Sequence, residues 1–569
     1  MQDTLDAPVT APDVIPAPPR RNLRWLWAIP AVLIPTALFG LHALAYGRWL
    51  VDDSAITFAY ARSVAIGAGP SLMPGLPHVE GYSNPAWLGL LVLGRWLGLF
   101  DHGAWFGMPD YVAFPKTLAL VLVAGAFTGF HAIAAAISRR PAIVTVVAGS
   151  IAAAIPSFVI WCVSGLENSL LVFAVVTLAA VLVRANARGA LATAWPAIWC
   201  GLLAALAALT RPEGLIYAGA FPIALLIFVQ RRRWFALIGP AVVSVVAFAV
   251  PFGCYLLFRW ETFHQLLPTT AVAKSQGLPT VAGFAKVSEL VSYAGWLAVL
   301  AGAVLVGAAV VRNSPVRDGV LLLLVPLGLA LTAFGVLVPD WMEQYRFATP
   351  AWALGALVVG VSAIEVLGGL RLRGRVVVGL LTVAAAAISL NLFVVDAKVF
   401  RAAPTAPMCM IAQNTGFEFN GYLQILGLRS GTLFAPEIGG AALTGTSLLV
   451  DGAGLAEPRI AQYWAAKDWA GVRDYTLDEI KPTFIKAHGS FRPQMAFETD
   501  PRFVAAYTYI GPTPNEGGNW VRTDLVHDEA TLAKLREWAQ QSLAADAVLR
   551  AAPRSSCGDR LVPGATSSS

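Results

Sequence analysis

Two adjacent carboxylates are the first residues in this chain whose type and position could do chemistry. Asp52 and Asp53 follow directly after an apolar run, where a charged group is costly to place and needs a reason. One of them could simply cap the short helix that the next residues predict, with its charge favoured by the helix dipole. Capping needs one carboxylate, and neighbouring helical side chains point about 100° apart. The pair therefore predicts a general base that takes a proton from a hydroxyl group.

Further polar side chains stand in short loops that separate apolar runs. The loops contribute, in chain order, Glu80, Tyr82, Glu167, Arg211, Glu213, Lys274, Asp340, Tyr345 and Arg346. Arg346 and Lys274, followed by Arg211, are the best candidates to hold a phosphate, because a guanidinium binds two oxygens at once and an ammonium acts as a point charge. Each residue taken alone has a simpler explanation; Arg211 and Glu213, for example, could form a local ion pair. They form a site only if the intervening elements bring all the loops to one side.

The elements that must position these loops are membrane spans. The 569 residues are 57% hydrophobic and 13% charged, which is too little polar surface for a soluble protein of this size. Twelve apolar segments are candidates, but the one at 84–100 is short and contains Arg95, so it could be re-entrant or interfacial. An N-terminus inside and a C-terminus outside require an odd number, which predicts 11 or 13 spans.

Arginine clusters predict which side each loop occupies. The net charge is +6, but the arginines sit in short loops between apolar runs, which is typical of topology determinants and argues against a nucleic-acid partner. The clusters predicted to be cytoplasmic are Arg139–Arg140, Arg184 with Arg188, Arg231–Arg233, Arg312 with Arg317, and Arg371 with Arg373 and Arg375. The loops that carry the polar residues then lie on the extracytoplasmic side of a multi-pass cytoplasmic (inner) membrane protein.

Composition divides the chain into four segments. These are a disordered cytoplasmic tail at 1–24, a transmembrane domain at 25–396, an extracytoplasmic soluble domain of mixed α/β structure at 397–550, and a disordered tail at 551–569. Cys409 and Cys557 could form a disulfide if the soluble domain is extracytoplasmic, and the sequence leaves that pairing open.

Six motifs, taken in order, resemble one superfamily. They are Asp52–Asp53, VEGYSNPAW at 79–87, SGLE at 164–167, TRPEG at 210–214, PTTAVAK at 268–274, and DWM with YRF at 340–347. The set looks like the GT-C superfamily of polyprenyl-phosphate-sugar glycosyltransferases, and within it is most similar to the mycobacterial terminal arabinofuranosyltransferase called AftB and its bacterial relatives. Relatives often have Gly-Gly-Asp where this chain has Val338-Pro339-Asp340, which leaves the subfamily and the sugar open.

The resemblance implies a GT-C-like polytopic α-helical fold that moves a sugar, arabinofuranose in the nearest family, from a polyprenyl-phosphate donor in the membrane lipid to an extracytoplasmic glycan. A glycosyl phosphate has a good leaving group, so the enzyme needs a carboxylate for the acceptor hydroxyl and cations for the phosphate. Asp52 or Asp53 is then the base, and Arg346, Lys274 and Arg211 hold the phosphate. The residues left for substrate binding are Glu80, Tyr82, Glu167, Glu213, Asp340 and Tyr345. No cofactor is required, although a divalent metal on Asp52, Asp53 or Glu80 stays open.

Other functions remain to be weighed against this one. Another GT-C member could transfer mannose or a different hexose to protein or lipid. A transporter predicts polar residues near the middle of its spans and related repeats in the two halves, and neither is evident in the sequence. A non-catalytic scaffold explains the architecture but gives the acidic pair no purpose. The soluble domain is expected to orient the acceptor, with aromatics that could equally be core residues: Trp464, Tyr475, Tyr507 and Trp520.

Overall fold

The computed structural model describes residues 24–228, 235–275, 281–312 and 315–567. The predicted N-terminal tail, apart from its last residue, and the cluster Arg231–Arg233 lie outside these ranges.

The first four hundred residues form a bundle of apolar helices. Inside a bilayer every backbone N–H and C=O must be satisfied within the segment, and leucine-, alanine- and valine-rich runs achieve this as helices. The helices are α1 Arg24–Leu44, α2 Asp52–Ala65, α3 Pro85–Trp96, α4 Asp110–Ile137, α5 Pro141–Ala154, α6 Pro156–Cys162, α7 Asn168–Ala187, α8 Ala194–Thr210, α9 Ala220–Phe228, α10 Phe235–Phe263, α11 Thr269–Lys274, α12 Val281–Phe284, α13 Val287–Ala294, α14 Trp296–Val311, α15 Pro315–Val336, α16 Thr349–Gly369 and α17 Leu372–Ala402. Single 3-10 segments, Pro212–Gly219 and Arg346–Ala348, precede α9 and α16, and a hairpin of β1 (Ala104–Trp105) and β2 (Met108–Pro109) precedes α4.

The described part of the chain contains seven helices that are long and apolar enough to cross a membrane, or up to nine if each of two bent pairs is one span. One pair, α5 with α6, bends by 80° at Pro156; the other, α13 with α14, bends by 101° at Gly295, whose φ of 86° favours glycine. Two shorter apolar stretches, Ala194–Thr210 and Pro212–Phe228, would bring the total to eleven, one of the two predicted numbers. The short α3 does not qualify as a span.

The C-terminal residues form a mixed α/β domain, as predicted. Its sheet has the order β4–β3–β5–β7–β6, with β3 parallel to both β4 and β5 and the other pairs antiparallel. The strands are β3 Thr432–Ala435, β4 Leu448–Asp451, β5 Phe484–Ala487, β6 Tyr507–Thr513 and β7 Gly517–Arg522. The helices are α18 Met408–Ile411, α19 Glu418–Ile425, α20 Gly439–Thr444, α21 Pro458–Ala466, α22 Trp469–Asp474, α23 Phe491–Met495, α24 Pro501–Ala506 and α25 Glu529–Ala551, with π-helical turns at Ala412–Phe417 and Tyr475–Ile480 and 3-10 turns at Phe497–Thr499 and Thr523–Leu525.

Both faces of this sheet are buried. Alternate strand residues point to opposite faces, so Phe434 and Ile485 pack into a core within the domain. Their neighbours Leu433 and Phe484 belong to a second core that also contains Phe58 of α2. The soluble domain therefore shares a hydrophobic core with the outer part of the helical bundle.

The tail at 551–567 is ordered, contrary to the prediction from its composition. Cys557 forms a disulfide with Cys409, with their Cα atoms 5.0 Å apart. Leu561 is buried, and its carbonyl accepts a hydrogen bond of 2.9 Å from Arg62 of α2. A proline- and serine-rich composition predicts disorder only when the backbone has no partners, and here a covalent bond and fixed donors supply them.

Removing the disulfide should destabilise the chain. Cys557→Ser frees a long loop and is expected to lower the free energy of unfolding by about 2–5 kcal/mol. Thermal unfolding of the detergent-solubilised protein checks this, with Cys254→Ser, at an exposed free thiol, as the control. Maleimide labelling of Cys409 in the untreated native protein would contradict the pairing.

Candidate active site

Asp52 is buried and fastened to the soluble domain. It is the first residue of α2, whose N-cap is Val51, and its side chain does not cap that helix. Its two carboxyl oxygens instead accept hydrogen bonds from the backbone N–H groups of Gly439, at 3.1 Å, and Gly440, at 2.7 Å. These glycines begin α20, so Asp52 occupies the positive end of another helix. Its position joins the membrane domain to the sheet domain and leaves little room for a substrate, because only 4% of the residue is exposed.

Asp53 has different surroundings. Its side chain is 23% exposed, and its Oδ2 lies 3.9 Å from an Nη1 of Arg346. Burial raises the pKa of Asp53 above its ordinary value, while the charges of Arg346 and Lys274 oppose that rise and Asp340 adds to it. Asp53, Lys274, Asp340 and Arg346 are therefore close enough to interact, and we call them the Asp53 cluster.

A strained turn aims Arg346 at this cluster. Gln344 and Tyr345, which precede it, both have left-handed backbone angles, with φ of 64° and 50°. The turn is held because the Gln344 carbonyl accepts hydrogen bonds from Ser157 Oγ at 2.6 Å and Trp161 Nε1 at 2.9 Å. Helix α6, which is distant in sequence, thus fixes the turn that carries this guanidinium.

The Arg346 guanidinium is buried beside a carboxylate and two aromatic rings. Its Nε lies 2.8 Å from Asp340, and its central carbon lies 5.8 Å and 5.0 Å from the ring centres of Trp161 and Phe347. The aromatic faces stabilise a cation at modest cost. Asp340 and Asp53 both compensate its charge, the latter at longer range.

Lys274 is the last residue of α11. Within the part of the chain that the structure describes, its ammonium forms no hydrogen bond and no ion pair. Removal from bulk water and the charge of Arg346 lower the pKa of Lys274, whereas Asp53 and Asp340 raise it. Its helix packs against α21 of the soluble domain, so Lys274 lies between the two domains.

Arg211 is already neutralised by two carboxylates. It forms ion pairs with Glu213, its close neighbour in the chain, and with Glu167, whose other oxygen accepts a hydrogen bond of 2.7 Å from Asn84. It also lies 4.7 Å from the ring centre of Phe347. These bonds use Arg211, Glu167 and Glu213 to lock three loops together beside the cluster. They leave Arg211 with less capacity for a phosphate than Arg346 or Lys274.

Glu80 and Tyr82 belong to a neighbouring group. Both oxygens of Glu80 bind Arg259, and one also accepts a hydrogen bond of 2.5 Å from Tyr255. Tyr82 is buried with its ring 5.1 Å from Tyr60. The carbonyl of Glu80 accepts from the N–H that begins α11, so this group supports the segment that carries Lys274.

Arg259 is the residue that sequence reasoning missed. An arginine near the C-terminal end of the apolar helix α10 is typical of a residue at the membrane boundary. The sequence does not show that Arg259 has a buried partner. The only available signal was that Glu80, a carboxylate, lies in a loop predicted to be on the same side of the membrane.

A cavity of about 360 Å³ borders the cluster on the side of the helical bundle. Its charged lining residues are Lys286, Glu289, Asp340, Glu343, Arg346 and Asp396. Its walls also include Tyr293, Phe334 and Tyr345, and the Tyr345 ring contacts the other two. Charged groups beside aromatic rings suit a ligand that has both a charged group and an apolar part. Within the described ranges, no group of three or more His, Cys, Asp or Glu residues could hold a metal ion.

Comparison with known proteins gives the fold. No protein-family model matches the chain, and no curated protein sequence matches it. Among solved structures, ArnT from Cupriavidus metallidurans, bound to undecaprenyl phosphate, is similar with a TM-score of 0.55 and 12% identity over 89% of this chain and 100% of that one. The archaeal oligosaccharyltransferase AglB from Archaeoglobus fulgidus, in complex with an inhibitory peptide and a dolichol-phosphate, has a TM-score of 0.52 and 10% identity over 89% of this chain and 75% of that one.

The chain thus has the fold of GT-C membrane glycosyltransferases and is a multi-pass membrane protein. The predicted fold class is confirmed. The closer relationship to AftB remains a prediction.

The surroundings of Asp52 predict a pH effect on stability. Burial raises the pKa of Asp52 to about 8, whereas an unfolded aspartate titrates near 3.8. The folded chain therefore holds an extra proton between these values, and its stability falls as the pH rises toward 8. Asp52→Asn keeps an acceptor for the glycine N–H groups without this titration. Between pH 6 and pH 8 the wild type should lose about 2 kcal/mol relative to Asp52→Asn, measured by thermal unfolding, and no more above pH 9. Parallel pH curves for the two proteins would contradict the assignment.

Proposed function

We propose that this protein is a membrane glycosyltransferase that moves a sugar, arabinofuranose, from a polyprenyl-phosphate donor to an extracytoplasmic glycan. The observation that carries the proposal is the Asp53 cluster, in which two carboxylates and two cations meet between a membrane bundle and a soluble domain. The solved structures with this fold support a lipid-linked donor, since one holds undecaprenyl phosphate and the other a dolichol-phosphate.

The proposed step forms one bond and breaks one. The acceptor hydroxyl oxygen attacks the anomeric carbon, the bond between that carbon and the phosphate oxygen breaks, and polyprenyl phosphate leaves with the electron pair. Asp53 takes the hydroxyl proton, and Arg346 and Lys274 stabilise the negative charge that the phosphate gains. No metal or cofactor is needed for this step, because fixed cations supply the electrostatic stabilisation.

Asp53 is a better base than Asp52 in this arrangement. Asp52 uses both oxygens on backbone N–H groups of the soluble domain, whereas Asp53 is more exposed and adjoins both cations. Burial raises its pKa, which makes it a stronger base than an ordinary aspartate, and the charges of Arg346 and Lys274 favour its ionised form.

The bordering cavity is suited to the first part of the lipid chain. Arg346 and Asp340 line this cavity, and so do the rings of Phe334 and Tyr293. A phosphate held by Arg346 would place the attached prenyl chain along these rings.

The extracytoplasmic location rests on arginine positions. Arg346 begins the α16 segment, and the cluster Arg371, Arg373 and Arg375 follows the other end of that helix. Arg139 and Arg140 likewise follow the end of α4 opposite its outer hairpin. Because arginines favour the cytoplasmic side, the Asp53 cluster and the soluble domain are placed outside. The Cys409–Cys557 disulfide agrees with an oxidising compartment.

Asp53→Asn should abolish transfer while Asp52→Asn keeps most of it. Loss of the proton acceptor is expected to lower kcat about 1000-fold, whereas Asp52→Asn removes no proposed base and keeps one acceptor oxygen for the two glycine N–H groups. Both proteins are purified in detergent and assayed with a panel of polyprenyl-phosphate sugars: arabinofuranose, mannose and other hexoses.

The panel also decides the sugar. Transfer of a hexose but not of arabinofuranose would replace the proposed donor, and full activity of Asp53→Asn with an active donor would refute the base. Since the pKa of Asp53 is raised, kcat/KM of the wild type should fall at acid pH with a midpoint above the ordinary aspartate value of 3.8.

Arg346→Lys and Lys274→Met should impair donor use. Arg346→Lys loses the planar guanidinium that can hold two oxygens, and Lys274→Met removes a charge at similar length; each is expected to lower kcat/KM for the donor about 100-fold. Lys534→Met, at an exposed lysine of α25, is the matched control. Unchanged donor kinetics in both site variants would contradict the proposed phosphate contacts.

A further inference from the structure

A carboxylate–histidine pair lies at the carboxyl edge of the domain sheet and has no role in the chemistry above. Glu437 follows β3 by two residues and His488 directly follows β5. Because these two strands are parallel neighbours, their ends meet at the same edge. The Nε2 of His488 and an oxygen of Glu437 are 2.6 Å apart, and their side chains are 11% and 28% exposed. The pair is thus fixed yet accessible from solvent.

This pair adjoins the proposed site. Glu437 lies two residues before Gly439, whose N–H binds the carboxylate of Asp52. The charge of Glu437 also acts on Asp52, the chain neighbour of the proposed base. A molecule bound at Glu437 and His488 would therefore lie close to Asp52, the chain neighbour of Asp53, on the side of the soluble domain.

Half-buried aromatic rings continue the same edge. Trp464 donates from its indole N–H to the carbonyl of Gly452, the residue after β4, at 2.9 Å. Its ring centre lies 4.6 Å from that of Trp469 and 5.5 Å from that of Phe491. The N–H of Phe491 donates to the His488 carbonyl at 3.2 Å, which places the aromatic group next to the polar pair. Two other aromatics considered from the sequence, Tyr507 and Trp520, are buried in the domain core.

We propose that Glu437, His488 and Trp464 form an acceptor subsite for a hydroxyl-rich glycan, binding a sugar unit next to the one that receives the new residue. This inference rests on the proposed function. Within the part of the chain that the structure describes, the second oxygen of Glu437 and Nδ1 of His488 have no hydrogen-bond partner. Sugar hydroxyls can donate to the first and donate to or accept from the second. The apolar face of a sugar ring stacks on an indole ring.

Acceptor and donor kinetics of the full-length chain test this subsite. Glu437→Gln and His488→Gln are assayed with polyprenyl-phosphate arabinofuranose and a synthetic linear arabinofuranosyl tetrasaccharide. The expected result is a rise of about tenfold in KM for the tetrasaccharide, with KM for the donor changed less than twofold. Trp464→Ala should behave in the same way, and Trp464→Phe should restore most of the affinity because it keeps an aromatic face. Glu537→Gln, at an exposed residue of α25, is the matched control.

A binding measurement separates this proposal from the proposed function. The Asp53→Asn protein is titrated with the tetrasaccharide by calorimetry, so that binding is observed without transfer. Binding that weakens about tenfold when Glu437→Gln is added supports the subsite even if the assigned base is wrong. An unchanged acceptor affinity in the double variant, no binding of the tetrasaccharide at all, or an equal rise in donor KM would overturn it.

Discussion

The contact between Asp52 and two backbone N–H groups holds the two halves of this protein together. A buried carboxylate is costly unless its oxygens are bonded, and Gly439 and Gly440 supply both bonds from the start of α20. Only glycine fits there, because a Cβ on Gly439 would lie 2.1 Å from the Asp52 carbonyl oxygen and one on Gly440 would lie 2.6 Å from the Met408 carbonyl oxygen. Asp52 and α20 can therefore approach closely because Asp52 accepts the two hydrogen bonds and because the first two residues of α20 are glycines.

The hydrogen bonds between Asp52 and α20 make the soluble domain part of the site. Because Asp53 follows Asp52 in the chain, fixing Asp52 also fixes the direction in which Asp53 points. Residues of α2 and of the domain sheet, such as Phe58 and Phe484, share one hydrophobic core, and Arg62 of α2 binds the carbonyl of Leu561 in the C-terminal segment. The acidic pair divides its work: one member positions the domains, and the other stays available for chemistry.

The fold class could be predicted from sequence because it depends on composition and order. Long apolar runs and a polar C-terminal region predict a membrane bundle followed by a mixed α/β domain. The roles within the polar loops could not be predicted, since they depend on distances between loops. Sequence treated Asp52 and Asp53 alike, and only the position of Gly439 distinguishes them. An ion pair of Arg211 with Glu213 could be suggested from sequence, but its second partner, Glu167, could not, and neither could the pairing of Arg259 with Glu80.

In the proposed mechanism, the charges of the Asp53 cluster explain how a carboxylate base can act beside the two cations proposed to bind phosphate. With Arg211 neutralised, Arg346 and Lys274 face Asp53 and Asp340, so the cluster carries no net charge when all four are ionised. It neither repels a singly charged donor nor holds it as strongly as an excess of cations would. When Asp53 accepts the acceptor proton, the cluster becomes positive by one unit at the moment when the departing phosphate becomes more negative by one unit. The proton transfer thus strengthens the electrostatic attraction where the transition state needs it rather than in the ground state, which is the condition for raising kcat.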